Sequence, residues 1–522
     1  MRASLQAPHA LGAASQREAP SGRRINPALY QINTRVWLHE LGQTLGRPAT
    51  LDDVGDAALA GIAASGFDWV WLLGIWQTGD AGREISRGRA DWREEYRALL
   101  PDVAPVDVCS SPFAVRDYVV HRDFGGPAAL ERFRKRLASC GLRLMLDFVP
   151  NHTALDHDWA RAHPEFYIHG GAADLVREPQ SYCRIETRDG ARVLAHGRDP
   201  YFPAWPDTLQ LNHRHPRLRA ALLDVLETIA AQCDGVRCDM AMLLLPDVIA
   251  RTWGDRARPV DGTPPLDDSF WPVAIDRVRR RHRAFVFLAE VYWDLEWTLQ
   301  QQGFDYTYDK RLYDRLRAQD ARAVRAHLLA DGDYQRRSAR FLENHDEARA
   351  AATFPPDVHR AAAVLTFLVP GMRFVHEGQL TGRRVRASNH LGRRASEPID
   401  RGLEAFYQAL LACARRPELR EGEWRLLAPR PAWDGNPTWD RVIPFAWHAA
   451  EGRVLVLVNY GPTQGQCLVS VPWTDLEGRR VVLQDVMTPA ARYERDGSEL
   501  CRRGLYVDLP AWGRHVLEIN PR

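Results

Sequence analysis

The chain has 522 residues, too long for one ordinary core, so two or three domains are expected. A hydrophobic share of 45% and a formal charge of +2 describe a soluble globular chain and speak against a nucleic-acid partner or an acidic tail. No apolar stretch is long enough to span a bilayer, so no membrane partner is expected.

Residues 1–24, "MRASLQAPHALGAASQREAPSGRR", lack an apolar core of signal-peptide length and predict a disordered leader. Short β-branched or aromatic runs then alternate with longer helical patterns. Strands are predicted over 30–37, 67–73, 143–149, 235–240, 284–290, 304–308, 339–344 and 372–378. Helical patterns fall between them, as in "PAALERFRKRLASC", "RLRAALLDVLETIAAQ", the arginine-rich "FWPVAIDRVRRRHR", "KRLYDRLRAQDARAVRAHLLA" (310–330) and "DVHRAAAVLTFLV". Alternation of this kind over 25–415 predicts an α/β chain folded as a (β/α)8 TIM barrel. It fails once: residues 151–213, rich in Pro, Gly, His and aromatics, predict a small inserted subdomain after the third strand. The stretch 77–110 reads as an exposed helical excursion over the rim. From 421 to 522 short strands separated by turn residues predict a C-terminal antiparallel β-sandwich.

The basic residues are almost all arginine, with Lys135 and Lys310 the two lysines. We read this as a coding bias spread over solvated faces rather than an anion-binding device. The eight cysteines form no C-x-x-C pair and read mostly as buried thiols of a reducing compartment, so a cytoplasmic location is expected.

In such a barrel, active sites form at the C-terminal strand ends. There the third strand delivers Asp147, Asn151 and His152 ("DFVPNH"), the fourth Arg237 and Asp239 ("GVRCDM"), the fifth Glu290 ("AEVYW") and the seventh Glu343, Asn344, His345 and Asp346 ("ENHD"). An isolated R-x-D is more often a structural ion pair than a catalytic one. Such a set gathered on one rim is hard to explain as packing. Glycoside hydrolysis or transfer wants two carboxylates, one ionised nucleophile and one protonated general acid. Arg237, two residues before Asp239 on the same strand face, would hold that carboxylate ionised. Glu290, after the apolar "FVFLA", would be kept protonated by desolvation.

The order "DFVPNH", "GVRCDM", "AEVYW", "ENHD" resembles the four signature regions of the α-amylase superfamily of retaining glycoside hydrolases and transglycosylases. The resemblance spans the barrel from about 25 to 415, and the insertion and terminal sandwich match that family's architecture. It implies Asp239 as nucleophile, Glu290 as acid/base and Asp346 as third carboxylate. Arg237, His152 and His345 match the family's substrate-site residues. "SPFAVRDY" (111–118) resembles the segment whose aromatic stacks on the sugar, which implies that role for Phe113. "WPDTLQLN" (205–212) resembles the motif near the end of the inserted subdomain. The implied substrate is an α-glucan or α-glucoside.

Departures from the family pattern matter too. The Lys-His pair that usually follows the nucleophile in endo-acting members is absent from "DMAMLLL" (239–245). Asn151 matches a calcium-ligand position but finds no convincing carboxylate partner in 153–207, so no cofactor is expected and calcium is not required. Arg349, in "NHDEAR", is expected to reach either a sugar hydroxyl or a local carboxylate. Trp69 and Trp71 read as core, and Trp76 as a candidate sugar platform. The competing reading is a catalytically inactive amylase-like binding or scaffold protein; the complete carboxylate triad argues against it. Hydrolysis versus transfer, the linkage and the oligomeric state are open at this level.

Overall fold

The computed structural model describes residues 26–522; the expected leader over 1–24 lies outside them. Eight strands form a closed barrel: β1 Ala28–Asn33, β2 Trp69–Leu73, β3 Arg143–Phe148, β4 Gly235–Cys238, β5 Val286–Ala289, β6 Tyr306–Tyr308, β7 Ser338–Arg340 and β8 Met372–His376. Each pairs in parallel with its neighbours in chain order, and β8 returns to β1 through Ala28↔Arg373 to Gln31↔His376. Strands of a parallel barrel are covered on both faces and read as continuous apolar runs. That is why "WVWLL" and "VFLA" are buried along their whole lengths.

Two boundaries differ from expectation, each for a local reason. The first strand was expected to run to residue 37. It stops at Asn33, whose Oδ1 accepts the Val36 amide at 3.3 Å and caps helix α1, Thr34–Leu45. The single helix expected over 310–330 is two, Lys310–Arg317 and Ala321–Leu328. Gln319 between them has φ 57°, and Asp320 caps the second by accepting the Ala323 amide at 2.9 Å.

The rim excursion holds two helices, α2 Asp80–Gly88 and α3 Ala90–Leu99. The insertion after β3 holds a three-stranded antiparallel sheet and a ladder pairing His152–Ala154 with Thr208–Gln210. Beyond the barrel, six-stranded and three-stranded antiparallel sheets face each other over a core that includes Val442, Leu455 and Leu517 from one and Cys467, Val469 and Val507 from the other. The eight cysteines are all free thiols, four of them buried. No helix of the described residues is long and apolar enough to cross a membrane.

The sandwich is pinned to the barrel by polar bonds at its interface. Trp447 Nε1 donates to Leu368 O at 2.8 Å, at the end of the helix Pro356–Phe367, and Tyr460 OH donates to Leu316 O at 2.6 Å. Trp447 is fully buried. Trp447→Ala should therefore cost about 3–5 kcal/mol. Denaturant unfolding followed by fluorescence and circular dichroism is the check, with both probes moving together because one interface serves both units.

Candidate active site

The C-terminal ends of β3, β4 and β5 lie side by side, with Arg237 opposite Asp147 on one neighbour and Leu288 on the other. This register brings the expected residues of three separate motifs to one point. Arg237 is at the centre. Its Nη1 donates to Asp239 Oδ1 and its Nη2 to Glu290 Oε2, each at 2.7 Å, and Asp147 Oδ1 lies 3.7 Å from Nη1. The guanidinium is caged by the rings of Phe113, Trp71 and Tyr308, with centroids 5.0, 5.3 and 6.0 Å away.

One buried cation cannot hold three buried carboxylates ionised. Burial pushes the Asp147 carboxyl up to about 6 against the lowering effect of Arg237. Burial, with Asp239 and Asp346 adding repulsion, pushes Glu290 up to about 8 although Arg237 opposes it. The two oxygens of Glu290 are not equivalent. Oε2 accepts from Arg237 and from the Met240 amide at 2.7 Å, whereas Oε1 meets the Tyr292 hydroxyl at 2.9 Å. To present its amide this way Met240 adopts φ 43°, an uncommon conformation for a residue with a side chain.

The histidines complete the wall. His345 Nδ1 lies 2.8 Å from Gln31 Nε2, and burial together with Arg237 holds the ring neutral. With the Gln31 amide donating to Nδ1, the ring proton sits on Nε2, 3.0 Å from Asp346 Oδ2. Phe113 packs on the same ring at 5.2 Å. His152, also held neutral chiefly by burial, bonds to the Phe113 backbone and packs on Trp205 at 5.1 Å. Asp346, the most open of the carboxylates, accepts from Asn389 Nδ2 at 3.5 Å. Asn344 Oδ1 makes the turn that presents it, accepting the Asp346 and Glu347 amides at 2.9 Å.

The structure corrects two expectations. Trp76 is fully buried and its Nε1 donates to Asp147 O at 2.7 Å, so its ring supports β3 and cannot serve as a sugar platform. Arg349, expected among the substrate contacts, is buried in an ion pair with Glu343 at 2.6 Å and also donates to Glu377 O at 2.8 Å. The local carboxylate has captured it because both groups are buried and each needs a partner. Asn151 does not face an open site either. Its Oδ1 and backbone O accept from Gln210 Nε2 at 2.9 and 3.0 Å, and its Nδ2 donates back to Gln210 Oε1 at 3.3 Å. That amide clasp engages both oxygens of Asn151 within the protein. Among the described residues no group of three or more His, Cys, Asp or Glu side chains could hold an ion.

Several site residues escape sequence reasoning. Gln31, Tyr308 and Asn389 belong to no quoted motif, and Tyr292 sits inside "AEVYW" without being singled out; the one available signal was a polar residue inside a strand, as in "YQIN". An aromatic shelf is also new: Tyr201 and Phe202, 56% and 67% exposed, stand at the tip of the insertion, and Tyr201 meets Trp293 edge-on at 4.8 Å. Trp293 and Asp294, just past Glu290, have φ 64° and 65°. Two consecutive side-chain-bearing residues in this region mark stored strain close to the acid.

Known proteins resemble this chain in sequence and in fold. The family model for the α-amylase catalytic domain matches residues 108–390, more than half of the chain. The chain belongs to the α-amylase family. It is 27% identical over 372 residues to the α-amylase MalA of Haloarcula japonica, a match covering 69% of this chain but 49% of that protein, so it spans about half the length of that relative. It is 25% identical over 354 residues to the palatinase of Erwinia rhapontici, covering 58% of this chain and 61% of the other. Among solved structures, a maltogenic α-amylase, AmyB of Thermotoga neapolitana, superposes with a TM-score of 0.64 at 18% identity over 95% of this chain and 98% of that one. An α-amylase of Lactobacillus plantarum gives 0.63 at 20% identity, over 95% and 99%.

The raised Glu290 carboxyl has a measurable consequence. In the unfolded chain it ionises near 4.5, whereas in the fold it keeps its proton up to about 8. Across that window the folded state binds more protons than the unfolded one, so this group's contribution to stability is full at the acid end and declines as pH rises. A carboxyl band titrating near pH 8 is expected in infrared difference spectra, and it should vanish in Glu290→Gln.

Proposed function

We propose that the chain is a retaining α-glycosidase or α-glucan transglycosylase acting on α-glucosidic bonds, preferentially in short oligosaccharides. Asp239 attacks the anomeric carbon, forming a glycosyl ester as the bond to the leaving oxygen breaks. Glu290 gives that oxygen its proton from Oε1, the carboxyl oxygen not already engaged by two N–H donors. Glu290 then takes a proton from water or from an acceptor hydroxyl, whose oxygen attacks the same carbon and frees Asp239. Asp346 stabilises the positive charge that develops on the sugar, while His152 and His345 donate to its hydroxyls and Phe113 stacks on its ring. Arg237 holds the two reacting carboxylates in place.

The observation that carries this reading is the single guanidinium reaching both carboxylates at 2.7 Å. It suits the separation of about 5–5.5 Å used by retaining enzymes better than the roughly 6.5–9.5 Å that leaves room for water in inverting ones. The preference for short substrates rests on two features. Where endo-acting members place a Lys-His pair, residues 241–244 form a tight turn whose side chains are all buried. The rim is also partly roofed. Arg386 joins Glu95 of α3 at 2.6 Å, and His390 packs on Trp92 of α3 at 4.2 Å, on the segment that brings Asn389 to Asp346. Less surface is then left to hold a long glucan in mid-chain, and remote binding is what endo-action draws on.

Asp239→Asn and Glu290→Gln should each lower kcat/KM on a short α-glucoside by about a thousandfold or more. The melting temperature should change little; activity within about tenfold of wild type, a loss of only ~1.4 kcal/mol, would sink the assignment. Proton NMR of the first product from maltotriose should show the α anomer, and maltotriose should be cleaved with higher catalytic efficiency than insoluble dyed starch. Prolonged chelation should leave activity and melting temperature unchanged, because Gln210 already satisfies Asn151. Loss reversed by added calcium would contradict that reading of the clasp.

A further inference from the structure

The carboxylate cluster is not the only place built to receive a ligand. A second cavity of about 730 Å³ opens between α1, α2 and the segment 106–110, and none of the residues assigned above to sugar or catalysis lines it. Its volume falls within the range of about 300–1,000 Å³ typical of small-molecule sites. Its lining includes five arginines but only two aspartates. Those aspartates are spoken for: Asp80 pairs with Arg83, and Asp123 lies 3.6 Å from Arg122. Arg35 and Arg87 have no carboxylate partner among the described residues. Each spends one N–H on a backbone carbonyl, Arg35 on Ser110 O at 3.0 Å and Arg87 on Pro105 O at 2.8 Å. Both backbone bonds anchor a guanidinium beside the cavity while leaving further donors available, since arginine carries five.

The rest of the lining is mixed. Leu38, Val108 and Phe124 are apolar, while His39, Gln43, Gln77 and Thr78 are able to meet hydroxyl groups.

We propose that this cavity binds a phosphate monoester of a sugar or small polyol. Its phosphate is held by Arg35 and Arg87, and its hydroxyl-bearing body fills the rest of the space. Planar guanidinium groups recognise phosphate oxygens with paired, charge-assisted bonds, and free phosphate alone would leave most of the volume empty. This site stands apart from the glycosidase chemistry, so it holds or fails independently of it.

Isothermal titration of the full chain with glucose 6-phosphate, inorganic phosphate and glucose tests it, with maltotriose as a separate control ligand on Asp239→Asn protein. Glucose 6-phosphate should bind more tightly than inorganic phosphate, glucose should bind no more tightly than inorganic phosphate, and added salt should weaken the ester. Arg35→Gln and Arg87→Gln should each weaken the ester by about tenfold, while maltotriose affinity, read in the Asp239→Asn background, stays the same. Arg87 is exposed, so its variant keeps the fold even if the partly buried Arg35 variant does not. Equal affinity for inorganic phosphate and the ester would overturn the ester assignment. Absence of binding, or binding indifferent to Arg87→Gln, would overturn the site.

Discussion

A single buried guanidinium organises the centre of this molecule. Arg237 has almost no solvent, so its charge must be met by protein, and it is met by Asp239 and Glu290 at equal distance with Asp147 behind them. Removing such a charge from water is costly unless the geometry is good. The barrel supplies that geometry through the parallel register of β3, β4 and β5, which sets the three carboxylates around one point. The rings of Trp71, Phe113 and Tyr308 then exclude water from the cation's faces. A shift of register in any of the three strands would leave a charge unmatched, so the electrostatics of the centre also select the alignment of the barrel.

The same cation sorts the carboxylates. Asp239 shares one N–H, while Glu290 sits where Asp239 and Asp346 both repel its ionised form and burial adds to the effect. Position, rather than any difference in side-chain chemistry, is thus what raises Glu290. Tyr292, the Met240 amide and the strained turn after β4 are the supports that fix which oxygen of Glu290 faces outward.

Much of this was legible because it is local. Strand ends carry their functional residues within four to six positions, so "DFVPNH", "GVRCDM", "AEVYW" and "ENHD" each announce themselves, and barrel order places them on one rim. What could not be read was pairing across the fold. Gln31 meets a histidine 314 residues away, and nothing near either residue says so. Trp76 looked available for a sugar because it follows its strand, yet the Asp147 carbonyl draws it inward. Arg349 had two possible partners, and the choice depended on Glu343 being buried beside it. The end of β1 at Asn33 is a contest between extended backbone and a side-chain cap, decided by a single hydrogen bond.

The base of the barrel carries a different consequence. Asn26, just ahead of β1, donates to the carbonyls of Leu419 and Arg420 at 3.2 Å, and Arg373 of β8 donates to Asn26 O and Leu419 O. The ring of strands is thus fastened by contacts between residues almost 400 positions apart in the chain. Contacts of such high sequence separation carry the largest loop-closure cost and form slowly. During synthesis, β1 has no β8 until residue 376 has emerged and no clasp until residue 420 has, so its edge stays open while most of the barrel is already made. The barrel is therefore completed late, and the order of events in biogenesis is written in a few hydrogen bonds on the side of the molecule opposite the chemistry.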